Sequence, residues 1–239
     1  MILFAGADCA EGIHTNLKSE LSSVLGMSVS SPDTILRLKK ELCLSKETHL
    51  SKAKVVNECS KNESLNELNL AVLLLTNQLK KGSCYDLDFD IQFIPCQKYD
   101  STKSYKMRNG YFPAITTIGK NIVYLEISNG NSNVKFKQEE TLQRVYDSLS
   151  SKGVKIKSSR MDGGSFTKEV IQVVEENSEL FYSRAQKYGN LTSQLRRIKN
   201  WIKTTIDNKG VEVACLNFTP FKGTKPYRYV MSREASKNK

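Results

Sequence analysis

Residues 86–95, DLDFDIQFIP, place Asp86, Asp88 and Asp90 at every second position and fill the positions between with Leu87, Phe89, Ile91 and Phe93. A period of two is the signature of a half-buried strand, with the apolar set turned into a core and the three carboxylates emerging together on the other side. This restricts the chain to folds whose sheet buries one face and tolerates a row of like charges on the other. Such a row repels itself unless a metal ion or Lys/Arg partners neutralise it. Two readings fit the residues: a solubilised outer face of an edge strand, or a face shaped to hold a cation.

The elements around this strand narrow the fold. Residues 1–83 read as helical. The clearest start is SSPDTILRLKKEL, with Ser31 as N-cap, Pro32 at the first helical position and Ile35, Leu38 and Leu42 on one face. An earlier helix around Asp8 to Leu25 makes a helix-turn-helix arrangement one option, with Arg37, Lys39 and Lys40 off the apolar face as DNA contacts. ESLNELNLAVLLLTNQLKK places Leu65, Leu68, Val72, Leu75 and Leu79 at helical spacing, as for a core helix. From Cys84 the period changes, and strands are expected at 86–94, 111–118 and 121–127, the last two joined by the tight turn at Gly119-Lys120-Asn121. A helix over 136–151, a strand ending near Asp162, a helix after Gly163-Gly164-Ser165 and a strand in ELFYSRA follow. Leu191, Leu195, Ile198, Ile202 and Ile206 then suggest a long basic helix, and VEVACLNF and YRYVMSRE two more strands.

The order β-β-β-α-β-α-β-α is that of an α/β, ribonuclease H-like mixed sheet flanked by helices. Its acids lie in the first strand and at the end of the fourth. Ligand chemistry in an open α/β sheet gathers at the carboxyl ends of neighbouring strands, where these acids would meet. The expected division is a helical region over 1–83 with a possible DNA-binding role, an α/β core over 84–209, and a β-rich segment over 210–239.

Charge adds a partner class. Lys and Arg number 36 against 25 Asp and Glu, a net charge of +11 distributed along the 239 residues. That excess favours a polyanion such as nucleic acid. The six cysteines are scattered, without the paired spacing of a zinc site or disulfide framework. No signal-peptide pattern or membrane-length apolar run is visible, so a cytoplasmic location is expected.

The stretch from YDLDFDIQFIP through GYFPAITTIG, the NGNSN turn, SRMDGGS and FYSRA resembles the DDE-domain transposases of bacterial insertion sequences, of the group 1 type found in Bacteroides. DCAEGIHTNL and SSPDTILRLKKEL are similar to that family's helical N-terminal region. The resemblance implies cut-and-paste DNA transposition on double-stranded DNA by an oligomer, in the bacterial nucleoid. It also implies two Mg²⁺ (or Mn²⁺) ions held by an Asp, Asp, Glu triad. Asp90 matches the second acid of the family's Asp-x-Asp motif, Asp88 is the alternative first ligand, and Asp162 is the second. Arg160 and Arg184 at strand ends, Lys106 and Arg108 in the loop after the first strand, and Arg196 and Arg197 further on are candidate phosphate contacts.

The third acid is where the chain departs from the pattern. Residues 189–206 contain neither Asp nor Glu, and Glu234 lies in a strand-like tail without the motif's spacing. In the resembling transposases the Glu comes after a β-rich insertion, on a helix with a Tyr, Arg, Glu, Lys pattern. The expectation is therefore an internal piece of a longer transposase, inactive alone. A non-catalytic DNA-binding remnant, or an inhibitor of a full-length relative, is the alternative.

Overall fold

The computed structural model describes residues 11–16, 18–23, 29–42, 46–50, 54–186 and 189–234. The chain opens with α1 (Glu11–Asn16), α2 (Lys18–Ser22) and α3 (Pro32–Leu42), followed by the hairpin β1 (Lys46–Leu50) and β2 (Val56–Ser60) and by α4 (Glu63–Leu75). Next come β3 (Cys84–Ile91), the two-residue β4 (Ile94–Pro95) and β5 (Thr102–Lys103), β6 (Asn109–Ile118) and β7 (Asn121–Asn129). Then follow α5 (Gln138–Ser151), β8 (Lys155–Met161), α6 (Lys168–Asn177), β9 (Leu180–Ser183) and α7 (Gly189–Leu195). The last elements are β10 (Ile202–Ile206), β11 (Lys209–Phe218) and β12 (Tyr227–Glu234).

The fold is α/β around one nine-stranded mixed sheet, seven strands in the order β1-β2-β7-β6-β3-β8-β9 with the short β4 and β5 both pairing with β6 off this path. β3, β6 and β7 form the expected antiparallel meander, while β8 runs parallel to β3 and β9 parallel to β8. α5 connects β7 to β8, α6 connects β8 to β9, and the two helices pack on each other. The apolar positions of the alternating strand enter this core as expected: Leu87 is fully buried and Phe89 nearly so, among Leu142, Val145 and Leu149 of α5 and Val170, Ile171 and Val174 of α6. Tyr146 of α5 hydrogen-bonds Ser159 of β8 through its hydroxyl at 2.7 Å.

Glu126 of β7 lies on this buried side at 1% exposure. Its Oε1 accepts from Arg144 Nε (2.7 Å) and from the Tyr124 hydroxyl (3.2 Å). Its Oε2 accepts from Arg144 Nη2 (2.9 Å) and the Thr141 hydroxyl (2.7 Å). A carboxylate has about four acceptor sites, so this one is saturated, as a buried charge must be.

Four expectations are corrected. Residues 1–83 are not wholly helical, because β1 and β2 add to the β7 edge of the sheet. α4 does not bury Leu68, Val72 and Leu75, which are 51%, 47% and 82% exposed; it buries Asn66 and Leu70. The reason is the edge of β7 beyond its short pairing with β2. Asn66 accepts from the Leu125 N–H (2.9 Å) and donates to the Leu125 carbonyl (3.0 Å), joined there by Asn62, while Asn69 donates to the Ile122 carbonyl (2.7 Å). Unpaired strand groups need partners, and asparagines outrank leucines for that face.

The third correction concerns the long basic helix, which ends at Leu195 as α7; Ile202–Ile206 instead form β10, antiparallel to β11. Asp207 and Asn208 between them both have positive φ, 48° and 62°, the two left-handed residues a type I′ hairpin turn requires. Fourth, the small β10-β11-β12 sheet therefore begins at 202 rather than 210. It packs on the large sheet's core through Phe218 and Tyr229, with Phe166 against Phe221 and Tyr229. Trp201 donates from its indole N–H to the Ile198 carbonyl and carries Arg233 over its ring at 4.0 Å. No helix among the described residues is long and apolar enough to cross a membrane.

Candidate active site

The parallel register of β3 on β8 positions the acids. Cys84 pairs with Lys155 and Tyr85 with Ile156, but Asp86 pairs with Ser158, Asp88 with Arg160 and Phe89 with Met161. Lys157 is thus an extra residue, a bulge in β8. In an unbulged ladder Lys157 would face Asp86 and Asp90 would come level with Met161, a core residue; with the bulge the ladder ends at Phe89–Met161, and one further step along each strand leads to Asp90 and Asp162. Adjacent strands lie about 4.8 Å apart, so the two acids occupy neighbouring carboxyl ends on the same face.

Each acid of the row has a different partner, and the central one, Asp88, has the cation. Asp86 accepts from the Ser158 hydroxyl at 2.5 Å. Asp88 is gripped in a fork by Arg160, Nε to Oδ1 at 2.5 Å and Nη2 to Oδ2 at 2.7 Å, and the same contact raises the Arg160 pKa. Asp90 accepts one hydrogen bond, from Gln92 Nε2 to Oδ2 at 2.7 Å. Asp162 has extended backbone and caps the 3₁₀ turn Gly163–Ser165: its Oδ1 accepts from the Gly164 N–H (2.9 Å), the Ser165 N–H (3.1 Å) and the Ser165 hydroxyl (3.3 Å). Among the described residues its Oδ2 has no protein donor.

Acceptor accounting ranks these acids. Both oxygens of Asp88 are committed to a guanidinium, whereas among the described residues Asp86, Asp90 and Asp162 each keep one oxygen without a donor; of these, Asp90 and Asp162 stand at the strand ends and Asp86 near the start of β3. Oxygen ligands of this kind suit a hard divalent cation, which binds one or two carboxylates and completes its shell with water and phosphate. Among the described residues no group of three His, Cys, Asp or Glu side chains is placed to hold a metal ion.

The expected DNA-contact residues scatter. Arg160 is spent on Asp88. Arg184 follows β9, its N–H reaching the Met161 carbonyl (3.4 Å) and its own carbonyl lying 3.1 Å from where a Gly163 Cβ would sit, which brings it beside the Asp162 turn. Lys106 and Arg108 are exposed in the β5–β6 segment. Arg196 and Arg197 are exposed just after α7, not on a long helix. Arg37 and Lys40 are exposed on α3, whose N-cap Ser31 accepts from the Thr34 N–H as expected; the Lys39 side chain lies outside the described residues.

A basic cluster went unnoticed in the sequence because its members are far apart in the chain. Lys40 of α3, Lys46 of β1 and Lys98 line one cleft of about 520 Å³ together with two acids, Glu58 and Asp100, and with Tyr111. Asp100 accepts a short hydrogen bond from the Tyr111 hydroxyl, which holds its carboxyl below the usual carboxylate range, and lies 3.8 Å from Lys46. Comparison with protein-family models, with curated proteins and with solved structures returns no match for this chain.

Proposed function

We propose that this chain carries the two-aspartate part of a metal-dependent DNA strand-transfer centre on a ribonuclease H-like sheet, as in the DDE transposases it resembles. The observation that carries the reading is the bulged β3–β8 register, whose last pair, Phe89–Met161, is followed directly by Asp90 and Asp162 on adjacent strands, each with an oxygen that has no donor among the described residues. The strand order supports it: counted from β3 along the chain, the strands β7-β6-β3-β8-β9 run 3-2-1-4-5, the first three antiparallel and the last two parallel to the first. Counted without the two-residue β4 and β5, this order is the one the ribonuclease H-like reading expects.

Asp90 and Asp162 would hold one Mg²⁺ or Mn²⁺, which when bound supplies charge neutralisation at a phosphate oxygen. Asp88 is not a ligand in this reading; its fork with Arg160 braces the two parallel strands. Gly163 and Gly164 keep the turn beside Asp162 slim enough for a DNA backbone, Arg184 flanks it, and the net charge of +11 supplies the long-range attraction. Double-stranded DNA is the partner, bound by an oligomer of the chain. With two carboxylates converging, the chain should bind Mn²⁺ weakly and bind DNA without cutting it.

The test is Mn²⁺ binding by electron paramagnetic resonance in the wild type, Asp90→Asn and Asp86→Asn, beside a cleavage assay on supercoiled DNA. Asp90→Asn should release the metal and Asp86→Asn should not. Metal-dependent cleavage by the 239-residue chain that vanishes in Asp162→Ala would refute the inactivity and strengthen the site. Absence of any metal binding, with DNA binding intact, would leave the second reading, a non-catalytic DNA-binding protein. That reading is favoured by the structural partners that Asp86, Asp88 and Asp162 all have.

A further inference from the structure

The segment 92–108 between β3 and β6 does more than connect two strands. It carries Lys98, Lys103, Lys106 and Arg108 against one acid, Asp100, and that acid is committed to Tyr111 and Lys46. Interleaved with the cations are Tyr99, fully exposed at 100%, and Tyr105, 68% exposed.

The segment is also built firmly. β4 pairs with the start of β6 on one side and β5 pairs with it on the other, so the loop straddles the strand end. That crossing is possible because Gly110 and Gly130 have no side chain. A Cβ on Gly110 would lie 2.2 Å from the Ile94 carbonyl oxygen, and one on Gly130 2.2 Å from that of Thr102. Two turns then hold up the rings. Ser101 N–H and hydroxyl both reach the Lys98 carbonyl, at 3.0 and 2.6 Å, projecting Tyr99. Met107 N–H reaches the Ser104 carbonyl at 2.9 Å, with Met107 at φ 59°, projecting Tyr105. The Tyr105 ring lies nearly parallel to Phe112, 8° apart with centroids at 6.0 Å, so it is supported from one side while the residue stays largely exposed. Lys106 Nζ sits 5.6 and 5.8 Å from the Phe93 and Tyr105 ring centroids.

Among the described residues none of these four cations is in a salt bridge, and flat, supported or bare aromatic rings among such cations are what a single nucleic-acid strand uses, its bases stacking on rings and its phosphates meeting the cations. The loop starts immediately after β3, so a strand held there runs toward the end of the sheet that carries Asp90. We propose that residues 92–108 form a platform for unpaired nucleotides of DNA, with Tyr99 and Tyr105 stacking the bases and Lys98, Lys103, Lys106 and Arg108 contacting phosphates. The inference rests on the DNA-processing reading and adds that the chain engages a frayed or single-stranded end, which a duplex-only binder would not.

The experiment uses the full chain and two probes: a blunt duplex, and the same duplex with an unpaired overhang containing 2-aminopurine. Wild type should quench the overhang fluorescence on binding and should prefer the overhang. Because the Tyr99 side chain is fully exposed, Tyr99→Ala cannot act by unfolding; it should lose most of the quench and weaken overhang binding ~5- to 150-fold, leaving blunt-duplex affinity unchanged. Tyr99→Phe should retain both. The platform is overturned, with the DNA reading intact, if both probes bind and Tyr99→Ala and Tyr105→Ala quench as the wild type does. If neither probe binds the wild type, the DNA reading falls and the platform with it.

Discussion

Asp162 has two possible occupations, turn cap and metal ligand, and one pair of substitutions separates them. Asp162→Ala removes the acceptor of the Gly164 and Ser165 N–H groups, at 2.9 and 3.1 Å, and Ser165 is almost fully buried. Loss of such a cap costs about 0.5–2 kcal/mol. For a chain of this length each kcal/mol lowers the melting temperature by about 2–4 °C, so Asp162→Ala should melt ~1–8 °C lower. Asp162→Asn retains a side-chain oxygen in the same place, and Asn caps about as well as Asp, so its melting temperature should stay within about 2 °C of wild type. Metal affinity should behave differently. The amide is a neutral, weaker ligand, and Mn²⁺ binding should fall on the order of tenfold or more in both variants, since affinity follows the charge of the ligand set. Differential scanning calorimetry and Mn²⁺ resonance on the same samples give the two readouts. If Asp162→Asn matches wild type in both, Asp162 is only a cap and the metal reading loses its second ligand.

Lys157 is the residue extra to the β3–β8 ladder, so deleting it leaves Tyr85–Ile156 and Asp86–Ser158 as consecutive pairs and keeps Arg160 opposite Asp88, whereas inserting one Ala between Ser158 and Ser159 shifts Arg160 and Asp162 by one position toward the opposite face. The insertion should abolish cooperative unfolding or metal binding, checked by denaturation and Mn²⁺ resonance, while the deletion of Lys157 and Lys157→Ala should preserve both. Arg144→Ala strands the buried Glu126 carboxylate and should cost ~3–5 kcal/mol in urea denaturation, whereas replacing both residues by Met should recover much of that loss. The Tyr111 hydroxyl depresses the Asp100 carboxyl in the folded chain, so this anchor's contribution is complete above the unfolded carboxylate value of about 4 and is lost as pH falls through the lower folded value. Tyr111→Phe should remove that acid-side dependence, read as hydrogen exchange of the Ser101 amide.

The strands and helices over 84–183 were legible because their signals agree. Alternation in β3, the Gly119 turn between β6 and β7, and the apolar stripe of α5 each state locally what the packing requires. The sequence misled where a polar residue faces the protein. α4 carries leucines at ideal spacing, yet its asparagines turn inward because the β7 edge needs donors and acceptors, a demand that exists only once the sheet has formed. β10 was misread for a different reason: Ile198, Ile202 and Ile206 satisfy a helical period by chance. The β-branched run at 202–206 and the adjoining Asp207-Asn208 turn were the local signals that could have shown the strand.

The acid row shows why a pattern can suggest a site and still leave its members unranked. In sequence Asp86, Asp88 and Asp90 are equivalent, and the resemblance alone favours the last. The partners that separate them come from 72 residues away for two of the three, Ser158 for Asp86 and Arg160 for Asp88. The phase that matches Asp90 to Asp162 depends on a bulge at a residue with no distinguishing chemistry. Glu126 completes the contrast on the same sheet. It is the most buried carboxylate of the fold and holds a full set of donors, so it has nothing left to offer a ligand. Asp86 shares the spare oxygen of Asp90 but lies near the start of β3, so position at the carboxyl end of a strand, combined with spare acceptor capacity, is what separates Asp90 and Asp162 from the other acids. Saturating either spare oxygen with an engineered donor should abolish metal binding without altering the fold.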